Sequence, residues 1–164
     1  MFRNIVVPYD GSKPADKAVE YSANLAKSTN SGMTCQIILV HIVPEIPTTP
    51  LFIERPISTS DGRHIPLSKY VERLYGEMQA HAKEMLERKK EEVESITGSK
   101  AVVKIAVSLG DSVAEKILEI AKTEKADLII IGNVGRGGIS KLKTLGSVSR
   151  AVSERALCPV TIVH

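Results

Sequence analysis

Five short apolar runs punctuate the chain: NIVVPY from Asn4, CQIILVHIV from Cys35, AVVKIAV from Ala101, DLIIIG from Asp127 and PVTIV from Pro159. They are rich in β-branched residues and lack strict in-out alternation, the pattern of strands buried on both faces. None reaches the roughly 18 apolar residues that a membrane span needs. Helical periodicity fills the intervals between them, and strand alternating with helix throughout predicts a parallel sheet with helices on both faces, joined by right-handed crossovers. The expectation is an α/β fold with a five-stranded parallel sheet. At 164 residues the chain suffices for one domain with a sizeable core, so residues 1–164 are read as a single domain.

The first helix is expected after the DGS turn, with Ser12 as N-cap, Pro14 in the first turn, and Ala15, Ala18, Val19, Ser22, Leu25 and Ala26 at helical spacing. A long amphipathic helix is predicted from about Lys69 to Ile96, through Val71, Leu74, Met78, Ala82, Met85 and Val93. Asp111 is the expected N-cap of the next helix, which places Val113, Ile117, Leu118 and Ala121 on one face. GSVSRAVSERA reads as a short last helix. Residues 44–68, with several prolines and no sustained period, are expected to form an irregular insertion. Its apolar anchors Leu51, Phe52, Ile53 and Ile65 suit either a lid over a pocket or a contact with another subunit.

The 22 basic and 19 acidic residues leave a formal charge of +3, too slight and too dispersed to predict nucleic-acid binding. With no Trp, two Phe and four Tyr, a stacking platform for single strands is poorly supplied as well. The opening MFRNIVVPYD has no leader pattern, and the expectation is a cytoplasmic protein without membrane attachment. Cys35 and Cys158 have no metal-ligand spacing and read as buried thiols.

In a parallel sheet of this kind, ligands bind beyond the carboxyl ends of the strands, where strand order reverses. That rule selects PYDGS after the first strand, HIV at the end of the second, and IGNVGRGGISKLKTLGS after the fourth. Five glycines fall between Gly132 and Gly146 in the last of these. Gly132 and Gly135 bare the backbone for phosphate oxygens, while Gly146 and Ser147 open the last helix, whose positive end favours an anion. A flexible connection with turn-forming glycines is the competing reading. A Walker-type loop is excluded, because Gly138 and Ile139 stand where Lys and Ser/Thr are required. The dinucleotide fingerprint belongs after the first strand and is missing there.

Asp10 can accept hydrogen bonds from ribose hydroxyls or hold Mg2+ through water; it can equally shape the turn into the first helix. Backbone groups around Pro8, Tyr9 and Ile42 are placed to read an adenine edge. Arg136, Lys141, Lys143 and Arg150 supply positive charge near the loop, Arg136 as a possible phosphate contact, but no Gln, Glu or His is evident to orient a water for hydrolysis. His41 reads as a tethered strand residue rather than a general base; His64 and His81 fall in the insertion and the long helix, and His164 is the last residue of the chain.

The opening NIVVPYDGS, the strand ILVHIV, the segment GDSVAEKILEIAKTEKADLIIIG and the closing GNVG and LGSVSRAVSERALCPVTIV together resemble the universal stress protein family. Its ATP-binding branch carries G-x2-G-x9-G-[S/T]. Here Gly132-x2-Gly135 matches, but ten residues separate Gly135 from Gly146-Ser147. Ser112 stands where relatives often have proline. The resemblance implies a Rossmann-like fold of the adenine nucleotide alpha hydrolase type and a homodimer paired through the last strand. It implies ATP or AMP as ligand, with Asp10 on ribose or Mg2+, Pro8, Tyr9 and Ile42 at adenine, and Gly132, Gly135, Gly146, Ser147 and Val148 at phosphate. The expected function is a nucleotide-binding regulatory dimer of the stress response, acting on a protein partner yet to be identified. A slow ATPase or phosphotransferase and a dimeric interaction module without nucleotide are the alternatives.

Overall fold

The structure is a computed structural model that describes residues 2–28, 34–47, 53–136 and 145–164. Leu51 and Phe52 of the insertion, and Gly137, Gly138, Ile139, Lys141 and Lys143 of the glycine-rich segment, lie outside the described residues.

Each apolar run forms a strand of one parallel sheet: β1 (Asn4–Pro8), β2 (Cys35–Pro44), β5 (Ala101–Gly110), β6 (Leu128–Gly132) and β7 (Val160–Val163), in the order β5-β2-β1-β6-β7. Residues alternate between two cores. Ile5, Val7, Ile37, Leu39, Leu128 and Ile130 pack against Ala18 and Ala23 of α1 (Lys13–Ser28) and Leu86 and Val93 of α2 (Leu67–Thr97). Val6, Ile38, Val40, Ile129 and Ile131 point the other way, against Ile117 of α3 (Val113–Thr123) and Val152 of α4 (Ser147–Arg155). Burial on both faces explains why the runs carry no polar alternation.

Three local expectations are corrected. The first concerns the insertion, because Pro56–Ser58 (β3) and His64–Pro66 (β4) pair antiparallel, with Ile57 opposite Ile65. The turn between them contains Asp61-Gly62, where Gly62 takes φ +78°, and Asp61 accepts from the Thr59 hydroxyl and the Arg63 amide. Three-residue strands are too short to show a period, yet the Asp-Gly pair was a usable turn signal. The second concerns α3: Ser112, not Asp111, is its N-cap, accepting from the Glu115 amide at 3.4 Å, while Asp111 Oδ1 accepts from the Ser112 amide. No helix among the described residues is long and apolar enough to cross a membrane. The third concerns the thiols: Cys35 is buried as expected, but Cys158, expected to be buried, is only half-buried, and burial raises the pKa of both.

Candidate functional site

β1 has β2 on one side and β6 on the other, so strand order reverses between β1 and β6. A cleft of about 650 Å3 opens at their carboxyl ends, within the range of small-molecule sites. Every residue singled out for binding borders it: Pro8, Tyr9 and Asp10 after β1, Ile42 in β2, Gly132, Gly135 and Arg136 after β6, and Gly146, Ser147 and Val148 where α4 begins. Val40, Met78 and Val113 are among the other residues that line it and were not anticipated, whereas His41 lies in the HIV segment that strand order selected. Met78 comes from α2, whose helical period gives no sign that its register meets a cleft formed by distant strands.

Asp10 ties two edges of the cleft together. Its Oδ1 accepts from the Ser12 amide at 3.0 Å and its Oδ2 from the Arg136 amide at 2.9 Å. The first bond is the turn-forming role; the second joins β1 to the loop after β6. Gly135 has to be glycine for this contact, because a Cβ there would lie 2.7 Å from Asp10 Oδ2.

Gly132 has a reason the sequence did not suggest. A Cβ on it would come within 2.8 Å of both the carbonyl carbon and the Cβ of Pro14, so its bare backbone lets α1 seat against β6. Gly146 caps α4, and its amide donates to the Asn133 carbonyl at 2.8 Å. Ser149 Oγ donates to that same carbonyl at 2.7 Å, fixing the start of the helix against the end of β6. The amides of a helix's first turn have no intrahelical acceptor, which leaves this end suited to an anion.

Tyr9 is held at four points. Its amide donates to the Val40 carbonyl at 2.8 Å, its carbonyl accepts from His41 Nδ1 at 2.8 Å, and its hydroxyl donates to Asp16 Oδ1 at 2.8 Å. The Lys89 ammonium lies 5.7 Å from its ring centre and 2.8 Å from Asp16 Oδ1. Burial, aided by the bond to Asp16, pushes the Tyr9 phenol up to about 12. Burial works against a charged Lys89, but Asp16 and Glu92 outweigh it and hold its pKa above the ordinary lysine value. Burial likewise works against a charged Asp16, yet the bonds from Lys89 and Tyr9 leave its pKa below the ordinary carboxylate value.

His41 is thus tethered as expected. His64 meets Ser58 in the hairpin, His81 is exposed on α2 and Arg150 is exposed on α4. Among the described residues, no group of three or more His, Cys, Asp or Glu is placed to hold a metal ion.

A family model described as the universal stress protein family matches residues 1–164. The chain belongs to the universal stress protein family. A universal stress protein of Thermus aquaticus is 32% identical over 167 residues, covering 100% of both chains. The solved universal stress protein of Lactobacillus plantarum superposes with a TM-score of 0.78 at 23% identity, over 99% of this chain and 97% of that one. A universal stress protein of Archaeoglobus fulgidus, determined in complex with dAMP, matches with a TM-score of 0.62 at 20% identity, over 99% and 98%. The five-stranded parallel sheet is therefore the family fold.

Proposed function

We propose that this universal stress protein binds an adenine nucleotide, ATP or AMP, in the β1/β6 cleft, and that it acts as a regulatory homodimer of the stress response paired through β7. The observation that carries the reading is the convergence of ten residues, selected as nucleotide contacts, on one cleft at the reversal of strand order. The dAMP bound by the Archaeoglobus relative supports the same ligand class.

Adenine sits against Pro8, Val40 and Ile42, and the phosphates meet the amides of Gly146, Ser147 and Val148, with Arg136 alongside. Asp10 takes the ribose, or Mg2+ through water, with the lone pairs that the Ser12 and Arg136 amides leave open. Micromolar affinity corresponds to about 8 kcal/mol, whereas a helix N-terminus contributes about 0.3–2 kcal/mol. The apolar wall and Asp10 supply the remainder, so adenine nucleotides bind and inorganic phosphate does not. For the dimer, β7 is an edge strand whose residues are all half-buried, and Leu157 just before it is 90% exposed. An apolar edge is stabilised by pairing.

Calorimetry with AMP, ATP, GTP and adenosine tests the site, and sedimentation tests the dimer. Ser147→Glu is the informative variant. A carboxylate in the first turn of α4 suits the helix but repels phosphate, so AMP binding falls about tenfold or more while adenosine binding is unchanged. Equal AMP affinity in wild type and variant would remove phosphate from this end of the cleft.

A further inference from the structure

Lys89 belongs to α2, outside the cleft, yet its ammonium is not an ordinary surface charge. The side chain is only 20% exposed and sits between two carboxylates, 2.8 Å from Asp16 Oδ1 and 2.7 Å from Glu92 Oε2. Asp16 Oδ1 is also the acceptor for the Tyr9 hydroxyl, so one oxygen receives both donors. A line of contacts therefore runs from α2, through α1, to a residue that borders the cleft.

We infer that Lys89 is a positioning residue for the nucleotide site: by holding Asp16 it fixes the Tyr9 hydroxyl, and with it the ring that borders the cleft beside Asp10. This rests on the nucleotide reading above. The backbone of Tyr9 is anchored on β2 by Val40 and His41, and the residue is 5% exposed. At the far end of the ring the hydroxyl bond to Asp16, with the Lys89 ammonium 5.7 Å from the ring centre, fixes its orientation within the core packing. Asp10 is the next residue, and both its carboxylate oxygens are already committed to amides on opposite sides. The Tyr9 ring and the Asp10 carboxylate thus border the cleft as sequence neighbours, and a tilt of the ring changes the wall beside the group that joins the two edges. Without the cation, Asp16 and Glu92 repel one another; Asp16 turns towards water and releases the hydroxyl.

α2 also begins directly after the β3–β4 hairpin and lends Met78 to the cleft wall. The helix thus touches the site at two points, one direct and one through Lys89.

AMP titrations of the intact protein by calorimetry test the inference, with circular dichroism confirming that each variant is folded. Lys89→Met weakens AMP binding by about five- to tenfold, and Lys89→Arg, which keeps a cationic donor, stays within about twofold of wild type. Tyr9→Phe, which keeps the ring and removes the hydroxyl, loses as much as Lys89→Met, and the double variant loses no more than either alone. Wild-type affinity in Lys89→Met, or losses that add in the double variant, would overturn the role of Lys89 and leave the nucleotide reading standing. Absence of AMP binding by the wild type overturns the nucleotide reading, and this inference with it.

Discussion

The carboxylate of Asp10 accepts a hydrogen bond from the amide of Arg136 at 2.9 Å, closing the gap between the end of β1 and the loop that follows β6. Its other oxygen accepts from Ser12, so an amide side chain at this position cannot serve both. Asp10→Asn turns an NH2 group towards one of two N–H donors. It is expected to lower stability by about 1 kcal/mol, the worth of one hydrogen bond, and to weaken AMP binding by about tenfold or more through loss of the carboxylate. Thermal unfolding and calorimetry on the same sample check both effects. Unchanged values would show that this bond neither orders the loop nor supports the ligand.

Two glycines separate packing from conformational freedom. Gly132→Ala puts a methyl group 2.8 Å from backbone and side-chain atoms of Pro14, which cannot yield without moving the start of α1. The expected loss is about 1–3 kcal/mol. Gly76, exposed in the interior of α2, has nothing within 4 Å of an added Cβ. Gly76→Ala removes backbone entropy from the unfolded chain and gains about 0.5–1 kcal/mol. Melting temperatures that move in the same direction would contradict the geometry at one of the two sites.

What was legible in the sequence was what local chemistry determines. Ile37, Ile38, Leu39 and Val40 reveal a doubly buried strand by lacking alternation, and Ala82 and Val93 reveal the inner face of α2 by position alone, although the fully buried Leu86 beside Met85 was not picked out. The cleft followed from strand order, because Gly135 and Gly146 lie after β6 and Asp10 after β1. Tertiary relationships were hidden. Lys89 reads as one more charge on a charged helix face, and nothing local says that Asp16 and Tyr9 wait opposite it. Gly132 is a glycine because of Pro14, a residue more than a hundred positions away. The cap of α3 was the opposite case, a local signal misread: Ser112 and Glu115 have the spacing of a capping box.

That cap gives a direct comparison. Ser112→Ala removes the acceptor for the Glu115 amide and is expected to cost about 1 kcal/mol. Asp111→Ala removes a bond made to the Ser112 amide outside the helix and costs about 0.5 kcal/mol or less. Denaturant unfolding of the two variants ranks them; the reverse order would restore Asp111 as the cap.

The phenol of Tyr9 makes the fold sensitive to alkali, with a defined sign. Burial and the bond to Asp16 raise it from its ordinary value of 10.0 to about 12. Below pH 10 it is protonated in both the folded and the unfolded chain, and its contribution to stability is complete. Between about 10 and 12 the unfolded chain gives up this proton while the folded chain keeps it, so stability falls as pH rises, and beyond 12 the contribution is gone. Lys89 acts in the same direction, since its pKa is also raised on folding, whereas Asp16, held below its ordinary value, loses its contribution on the acid side. Melting temperature recorded across the alkaline range is therefore expected to fall more gently in Tyr9→Phe than in wild type. A spectrophotometric titration of wild type should show one late tyrosinate step that the variant lacks. If that step has its midpoint near 10 in wild type, the hydroxyl is not held by Asp16, and the path from α2 to the cleft is broken at its central bond.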